Sequence, residues 1–206
     1  MAVIQLSASS SFFLATMSGI SELTEDIKLK VELLLAKRKY SVGGPPHKVD
    51  ATGRGGLRSG KISELTVFAP LKPGGANRLR KIIELVDGDF GGAMLVGTLH
   101  DMRFLFLDDD KTLLFATTFD GDWDIYIEDF STKIPELLDL IFENVEGFPG
   151  IKDPGAKDFI LKYQKKADGW FVAYPDQTVN DIFRNQKIAE GLNKVLDEAS
   201  QVGAHK

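Results

Sequence analysis

The order of apolar patterns between Lys61 and Tyr174 limits the fold of this chain more than any other feature of its sequence. Alternating apolar runs indicate strands, whereas apolar residues three and four positions apart indicate helices. Along this segment the patterns follow the order strand, helix, strand, strand, helix, strand. That order defines a split βαβ unit. The segment therefore predicts an α+β domain with one antiparallel sheet.

The elements of this domain can be bounded from the same patterns. Pro135 suits the first turn of a helix, which predicts two helices or one kinked helix around it. The predicted elements are strands at 62–69, 95–107, 112–119 and 169–175, and helices at 75–86, around 123–145, and from Asp153 through Tyr163.

Two further helices flank this unit. Ser21 can cap the first, and Thr178 with Asp181 three residues on can cap the last. We therefore predict a ferredoxin-like βαββαβ sandwich with added N- and C-terminal helices. The predicted organisation is a flexible leader at 1–20, an N-terminal helix and glycine-rich loop at 21–60, and the ferredoxin-like domain with its C-terminal helix at 61–206.

Composition excludes several classes of function. The net charge of −5 argues against broad binding to nucleic acid or to an anionic membrane. The chain contains no cysteine, so thiolate catalysis and cysteine-ligated metal centres are excluded. No apolar run reaches the roughly 20 residues of a membrane span. We expect a cytoplasmic protein.

The strand predicted at 95–107 is apolar on both faces. An antiparallel sheet with helices on one side should alternate apolar and polar residues. One face of this strand carries Val96, Thr98, His100, Met102, Phe104 and Phe106, and the other carries Leu95, Leu99, Leu105 and Leu107, interrupted by Asp101 and Arg103. The second face is therefore expected to be covered by a partner subunit, by the added helices or by a bound apolar ligand.

Four stretches of this sequence resemble a known group. The stretches LTVFAPLKPG, VGTLHDMRFLFLD, LLFATTFDGDWDIYIEDF and GWFVAYPDQTVNDI resemble the dimeric α+β-barrel superfamily, and are similar to uncharacterised relatives of the dye-decolourising peroxidases. The resemblance implies a homodimer whose ferredoxin-like sheets pack face to face, with a cavity between sheet and helices. Members of the superfamily include monooxygenases, haem enzymes and ligand-binding regulators.

The peroxidases of this group resemble one another in a G-x-x-D-G segment and a proximal histidine. The nearest match here runs from Gly150 to Asp153 and continues with Pro154 instead of glycine. His47 and His205 lie in the predicted linker and next to the end of the chain, so neither is a clear counterpart of that histidine.

Four residues are candidates for a site between sheet and helices. His100 is predicted to act as a general base or haem ligand, and Arg103 as an anchor for an anionic group. Trp123 and Tyr126 are predicted to line the pocket for a cofactor. The alternatives are that His100 is hydrogen-bonded within the sheet, that Arg103 and Asp101 pair with each other or with a neighbouring strand, and that the two aromatic residues belong to the core.

Two motifs match binding signatures only in part. The acidic run 120–124 resembles the start of a calcium loop, but its glycine is misplaced and Ser131 stands where a glutamate is needed. The stretch 55–61 fits a phosphate loop literally, but Ile62 replaces the required hydroxyl residue and a strand follows it. Neither motif predicts a metal or a nucleotide site.

These observations support two hypotheses about function. The first is an oxidoreductase-like protein, peroxidase- or monooxygenase-like if it is an enzyme, that holds a small apolar or haem-like ligand between sheet and helices. The alternative is a non-catalytic ligand-binding or assembly protein. The sequence itself names no cofactor, and haem is the one that the resemblance would supply.

Overall fold

A computed structural model describes residues 24–39, 49–51, 54, 56–86 and 91–203. Within these residues the protein is α+β, with seven helices and one five-stranded antiparallel sheet. The strands are β1 (Val49–Ala51), β2 (Leu57–Ser59), β3 (Ile62–Pro70), β4 (Leu99–Leu107) and β5 (Thr112–Asp120). The helices are α1 (24–39), α2 (Gly75–Val86), α3 (Gly91–Val96), α4 (Trp123–Lys133), α5 (Pro135–Phe142), α6 (Ala156–Tyr163) and α7 (Val179–Gly203).

The chain divides into two compact units, Met1–Pro46 and His47–Lys206. The first contains α1, in which the apolar residues Ile27, Val31 and Leu34 are all more than half exposed. The predicted cap Ser21 lies outside the described residues, as do the leader at 1–20, His47 and His205.

The sheet has the strand order β1-β2-β3-β5-β4. Both β3 and β4 pair with β5 along most of their length, and the helices α2 and α3 connect β3 to β4. The predicted bounds of β3, α2 and β5 are confirmed to within one residue. The predicted break at Pro135 is also confirmed, because α5 starts at this proline and α4 ends two residues before it.

The predicted last strand at 169–175 is wrong. This segment is irregular, and Phe171 and Tyr174 are 78% and 71% exposed. The strand β2 pairs with one edge of β3 at Ile62 and Ser63, and the segment 169–175 forms no ladder with the rest of the edge. The chain after α6 makes a single bridge to this edge, in which Gln164 lies opposite Val67, and then leaves it.

Part of the predicted loop at 41–60 is a hairpin. The strands β1 and β2 pair with each other, and β2 joins the sheet, with Leu57 and Ser59 buried. Short strands in a glycine-rich stretch carry too few apolar residues to show a period of two, which is why the pattern indicated a loop.

The strand predicted at 95–107 starts four residues later than expected. Leu95 lies in α3, and a β-bulge between Leu99 and Asp101 inserts His100 as an extra residue in β4. The bulge turns Leu99 to the core face, where it pairs with Phe119 and packs with the core. The inference that β4 is apolar on both faces was therefore too strong: of the four leucines assigned to the second face, the bulge and α3 remove two.

The core lies between the sheet and the helices α4, α5 and α6. Alternate residues of β3 and β5 face it, among them Leu65, Val67, Leu113 and Phe115. The opposite face of the sheet is more open, with Leu105 45% exposed on the edge strand β4. No helix in the described ranges is both long and apolar enough to cross a bilayer.

Candidate functional site

His100 forms a partly buried pair with Asp120. The bulge in β4 directs the histidine to the end of β5, where its Nε2 atom lies 2.7 Å from Oδ1 of Asp120. The side chains of His100 and Asp120 are 19% and 9% exposed. The alternative that His100 is hydrogen-bonded within the sheet is therefore confirmed.

The same carboxylate also holds the start of α7. Its Oδ2 atom accepts a hydrogen bond of 2.8 Å from the backbone N–H of Val179, the first residue of this helix. We call the contacts among His100, Asp120 and Val179 the junction. It joins both strands of the hairpin to the C-terminal helix.

The predicted capping pair reinforces the junction. The hydroxyl of Thr178 accepts a hydrogen bond from the backbone N–H of Asp181, and the Asp181 carboxylate accepts from the hydroxyl and the N–H of Thr178. Lys61 lies 3.3 Å from the same carboxylate. The hydrogen bonds from Thr178, and then the hydrogen bond and charge of Lys61, lower the pKa of Asp181 below its ordinary value. The predicted capping box is confirmed.

The junction contains a histidine and a carboxylate, which are two of the three members of a catalytic triad. A carboxylate that orients a histidine can make it a better base, but catalysis also requires a nucleophile or a substrate proton within reach of the ring. No second hydrogen-bond partner of His100 lies in the part of the chain that the structure describes. The geometry accounts for a structural role and shows no group for the histidine to activate.

Arg103 is not part of the junction. Its side chain is 64% exposed, and its Nε atom lies 3.4 Å from Oδ1 of Asp101. The alternative that these two residues pair with each other is therefore confirmed. Arg103 is also the partner of Ala116 in the register, on the sheet face opposite the core.

Trp123 and Tyr126 belong to the core. Tyr126 is 1% exposed, stacks on Phe119 with 3.8 Å between ring centroids, and shares a hydrogen bond of 2.6 Å with Thr117. Burial raises the pKa of Tyr126 far above its ordinary value, so it stays neutral in the folded protein. Trp123 is 3% exposed, and Arg54 lies 5.9 Å from its ring centroid. The packing alternative is confirmed for both residues.

An apolar cavity does lie between the sheet and the helices. Its volume is about 50 Å³, and every side chain on its wall is apolar. The wall includes three phenylalanines whose rings follow one another, with 5.8 Å between the centroids of Phe142 and Phe148 and 5.7 Å between those of Phe148 and Phe159. None of His100, Arg103, Trp123 and Tyr126 lines it.

The acidic run 120–124 does not converge on one point. Asp120 belongs to the junction, Asp122 pairs with Arg58 at 2.6 Å, and Asp124 pairs with Lys157 at 3.0 Å. Among the described residues, no group of three or more histidine, aspartate or glutamate side chains is arranged to hold a metal ion. Each acid of this run instead ties α4 or α7 to another element.

The structural role of Asp120 was missed by sequence reasoning. Within the acidic run, Asp124 lies in the first turn of α4, where an acid suits the helix dipole. Asp120 instead serves a helix that starts almost 60 residues later, at Val179. A contact of that separation leaves no local pattern, so only the position of an acid at the end of a strand gave a hint.

Comparisons of the chain with protein-family models, with curated proteins and with solved structures gave no match.

Proposed function

We propose that this chain is a non-catalytic assembly protein that self-associates as a homodimer. The observation that carries this proposal is the apolar surface of α7, on which Ile188, Leu192, Val195 and Leu196 are each more than half exposed. Exposed apolar surface of this extent marks an interaction site more often than a free surface.

The engagement of the candidate residues supports the non-catalytic part of the proposal. His100 is paired with Asp120, Arg103 is paired with Asp101, and Tyr126 is bound to Thr117. Such pairing is compatible with catalysis only where the paired group also faces a substrate in a cleft that contains polar groups. The cavity between sheet and helices offers no polar group.

We also propose, as the finer description of the fold, an incomplete ferredoxin-like sandwich related to the dimeric α+β barrels. The order β3-β5-β4 supports it, because a split βαβ unit places its third strand between the first and the second. The irregular segment 169–175 is the departure from that architecture.

A second candidate function is the binding of a small apolar molecule in the cavity. The wholly apolar wall favours it, since apolar cavities stay dry and take up apolar guests. A haem does not fit. The cavity of about 50 Å³ is much smaller than the roughly 300–1,000 Å³ of ordinary ligand pockets, and no histidine lies on its wall. The oxidoreductase-like hypothesis would therefore need a ligand of only a few atoms.

Sedimentation equilibrium of the full chain over a range of concentrations tests self-association. We expect a reversible monomer–dimer equilibrium. A chain that stays monomeric at the highest concentration would contradict the proposal.

A haem titration and a panel of quinones and phenolic compounds test the competing hypothesis. We expect no Soret band and no turnover. A Soret band that is lost in His100→Ala, or turnover that is lost in that variant, would favour the oxidoreductase instead.

A further inference from the structure

The helix α7 is exposed along nearly its whole length. Every residue from 183 to 200 is exposed, whereas Val179 at the junction is buried. An isolated helix is only marginally stable in water, and most helices are stabilised by packing one face against a partner. The structure shows how α7 begins but not what its apolar face packs against.

The charged residues of α7 avoid one continuous face. With Ile182 taken as position a of a heptad, all six charges from 184 to 198 occupy positions b, c and f. Positions a, d, e and g carry no charge from 182 to 200. They are Ile182, Asn185, Gln186, Ile188, Ala189, Leu192, Asn193, Val195, Leu196, Ala199 and Ser200. This distribution is typical of a helix that pairs with another helix along its uncharged face. We call the residues at positions a, d, e and g the seam.

The sizes of the seam residues favour an antiparallel pair. In that arrangement each a residue packs with a d residue of the other helix, and every layer joins a small or polar residue to a large aliphatic one. The layers are Ile182 with Ala199, Asn185 with Leu196, and Ala189 with Leu192. A parallel pair would put alanine against alanine at 189 and leucine against leucine at 192, which leaves voids beside crowded layers.

The charges outside the seam favour the same direction. Arg184 and Lys187 lie near the start of α7, and Asp197 and Glu198 lie near its end. Antiparallel pairing brings the basic end of each helix beside the acidic end of the other and also opposes the two helix dipoles. Because these charges lie at the outward b, c and f positions, their contribution is weaker than that of the a and d layers.

We propose that α7 pairs with α7 of a second copy of this chain, as an antiparallel two-stranded coiled coil through the seam. This inference rests on the proposed self-association and names its surface. The junction holds only the first turn of each helix, so the two folded bodies lie at opposite ends of the pair. Each helix of 25 residues is about 37 Å long, which separates the bodies.

The first test compares two substitutions that introduce the same residue on different faces of α7. Leu192→Glu places a charge in the central layer, and Lys194→Glu places it at an outward f position. We expect Leu192→Glu to raise the dimer dissociation constant by about 100-fold or more, because the pair would bury unpaired charges. Lys194→Glu should change it little. Circular dichroism should show that both variants keep the folded body, with at most a loss of the helical signal of α7 in Leu192→Glu, where the helix would lose its partner.

The outcomes separate this inference from the proposed function. If the unmodified chain never dimerises, the proposed self-association and the coiled coil both fail. If the unmodified chain dimerises and Leu192→Glu dimerises equally well, self-association stands but the α7 contact is overturned.

Disulfide trapping tests the direction of the pair. Because the chain has no cysteine, Asn185→Cys and Leu196→Cys each introduce a single thiol. On mild oxidation of a mixture of the two variants, we expect disulfides that join one chain of the Asn185→Cys variant to one chain of the Leu196→Cys variant. Disulfides that form only between identical variants would show a parallel pair and overturn the proposed direction.

Discussion

One carboxylate joins two parts of the fold that are far apart in sequence: Oδ1 of Asp120 lies 2.7 Å from Nε2 of His100, while Oδ2 accepts the backbone N–H of Val179. The histidine comes from the bulge of β4, and the valine is the first residue of α7. The position of the C-terminal helix on the sheet therefore depends on the side chain of Asp120.

We predict that Asp120→Ala lowers the free energy of unfolding by about 1–3 kcal/mol, because it removes a helix cap and leaves His100 without its partner. Urea denaturation measures the loss. Hydrogen exchange should also show faster exchange of the amide of Val179, whose hydrogen-bond acceptor is gone.

Asp122→Ala is the matched control for this prediction. Asp122 has a side chain that is 67% exposed and precedes α4 without capping it, so its loss should cost no more than about 0.5 kcal/mol. Equal losses in the free energy of unfolding for the two substitutions would show that the junction stabilises the protein no more than an exposed ion pair does.

We expect the free energy of unfolding to fall at alkaline pH because of Tyr126. Burial raises the pKa of its hydroxyl, so the folded state keeps the proton above pH ~10, where the unfolded chain loses it. The stabilising effect is therefore complete below the unfolded pKa and is lost as the pH rises above it. We expect Tyr126→Phe to show a smaller loss of stability between pH ~9 and ~11, measured by urea denaturation.

Absorbance of tyrosinate gives an independent check. The chain has four tyrosines, and we expect Tyr126 to ionise only when the protein unfolds. The prediction fails if all four ionise reversibly near pH ~10 in the folded protein.

Gly60 is required where the chain turns from β2 into β3. Its φ is +59°, and a Cβ at this position would lie 2.6 Å from the backbone oxygen of Pro175. Gly74 also has a positive φ, +78°, but a Cβ there would meet nothing within 4 Å. We expect Gly74→Ala to cost about 1–2 kcal/mol for backbone strain alone, and Gly60→Ala to cost about 1–3 kcal/mol more because of the clash.

Thermal and urea denaturation of the two variants measure the difference. Equal losses would mean that the segment at Pro175 moves away from Gly60 without cost.

The turn between β4 and β5 contains three adjacent aspartates in the left-handed region. The φ angles of Asp108, Asp109 and Asp110 are 54°, 53° and 69°. Glycine adopts this conformation without strain, so we expect Asp109→Gly to raise the free energy of unfolding by up to about 1 kcal/mol.

Asp110→Gly is the informative comparison for that turn. Both oxygens of Asp110 bind Arg80 at 2.6 Å, and these hydrogen bonds lower the pKa of the carboxyl group. The substitution relieves the same strain but loses this pair, so it should stabilise the protein less than Asp109→Gly. If Asp110→Gly raised the free energy of unfolding more than Asp109→Gly does, the pair with Arg80 would not stabilise this turn.

Local sequence patterns predicted those elements whose bounds do not depend on contacts with distant residues. The bounds of β3, α2 and β5 follow from clear apolar periods, and Pro135 marks the division between α4 and α5. The capping pair at the start of α7 was predictable for the same reason, since its hydrogen bonds span three residues.

Features that depend on distant contacts were not predictable. The aromatic segment 169–175 has the composition of a strand, but it forms no ladder with β3, and β2 pairs with the start of that edge at Ile62 and Ser63. The hairpin register, with Leu107 opposite Thr112, would place His100 opposite Phe119. The bulge moves Leu99 there instead and brings His100 to Asp120, and no alternation of residue types shows where a bulge will occur.

The attachment of α7 at its first turn gives the helix the properties of a lever. From residue 183 to residue 200, the helix is exposed among the described residues. A tilt of about 10° at Asp120 would displace the far end of a helix about 37 Å long by roughly 6 Å. Small adjustments at the end of the hairpin would therefore become large movements of whatever the helix carries.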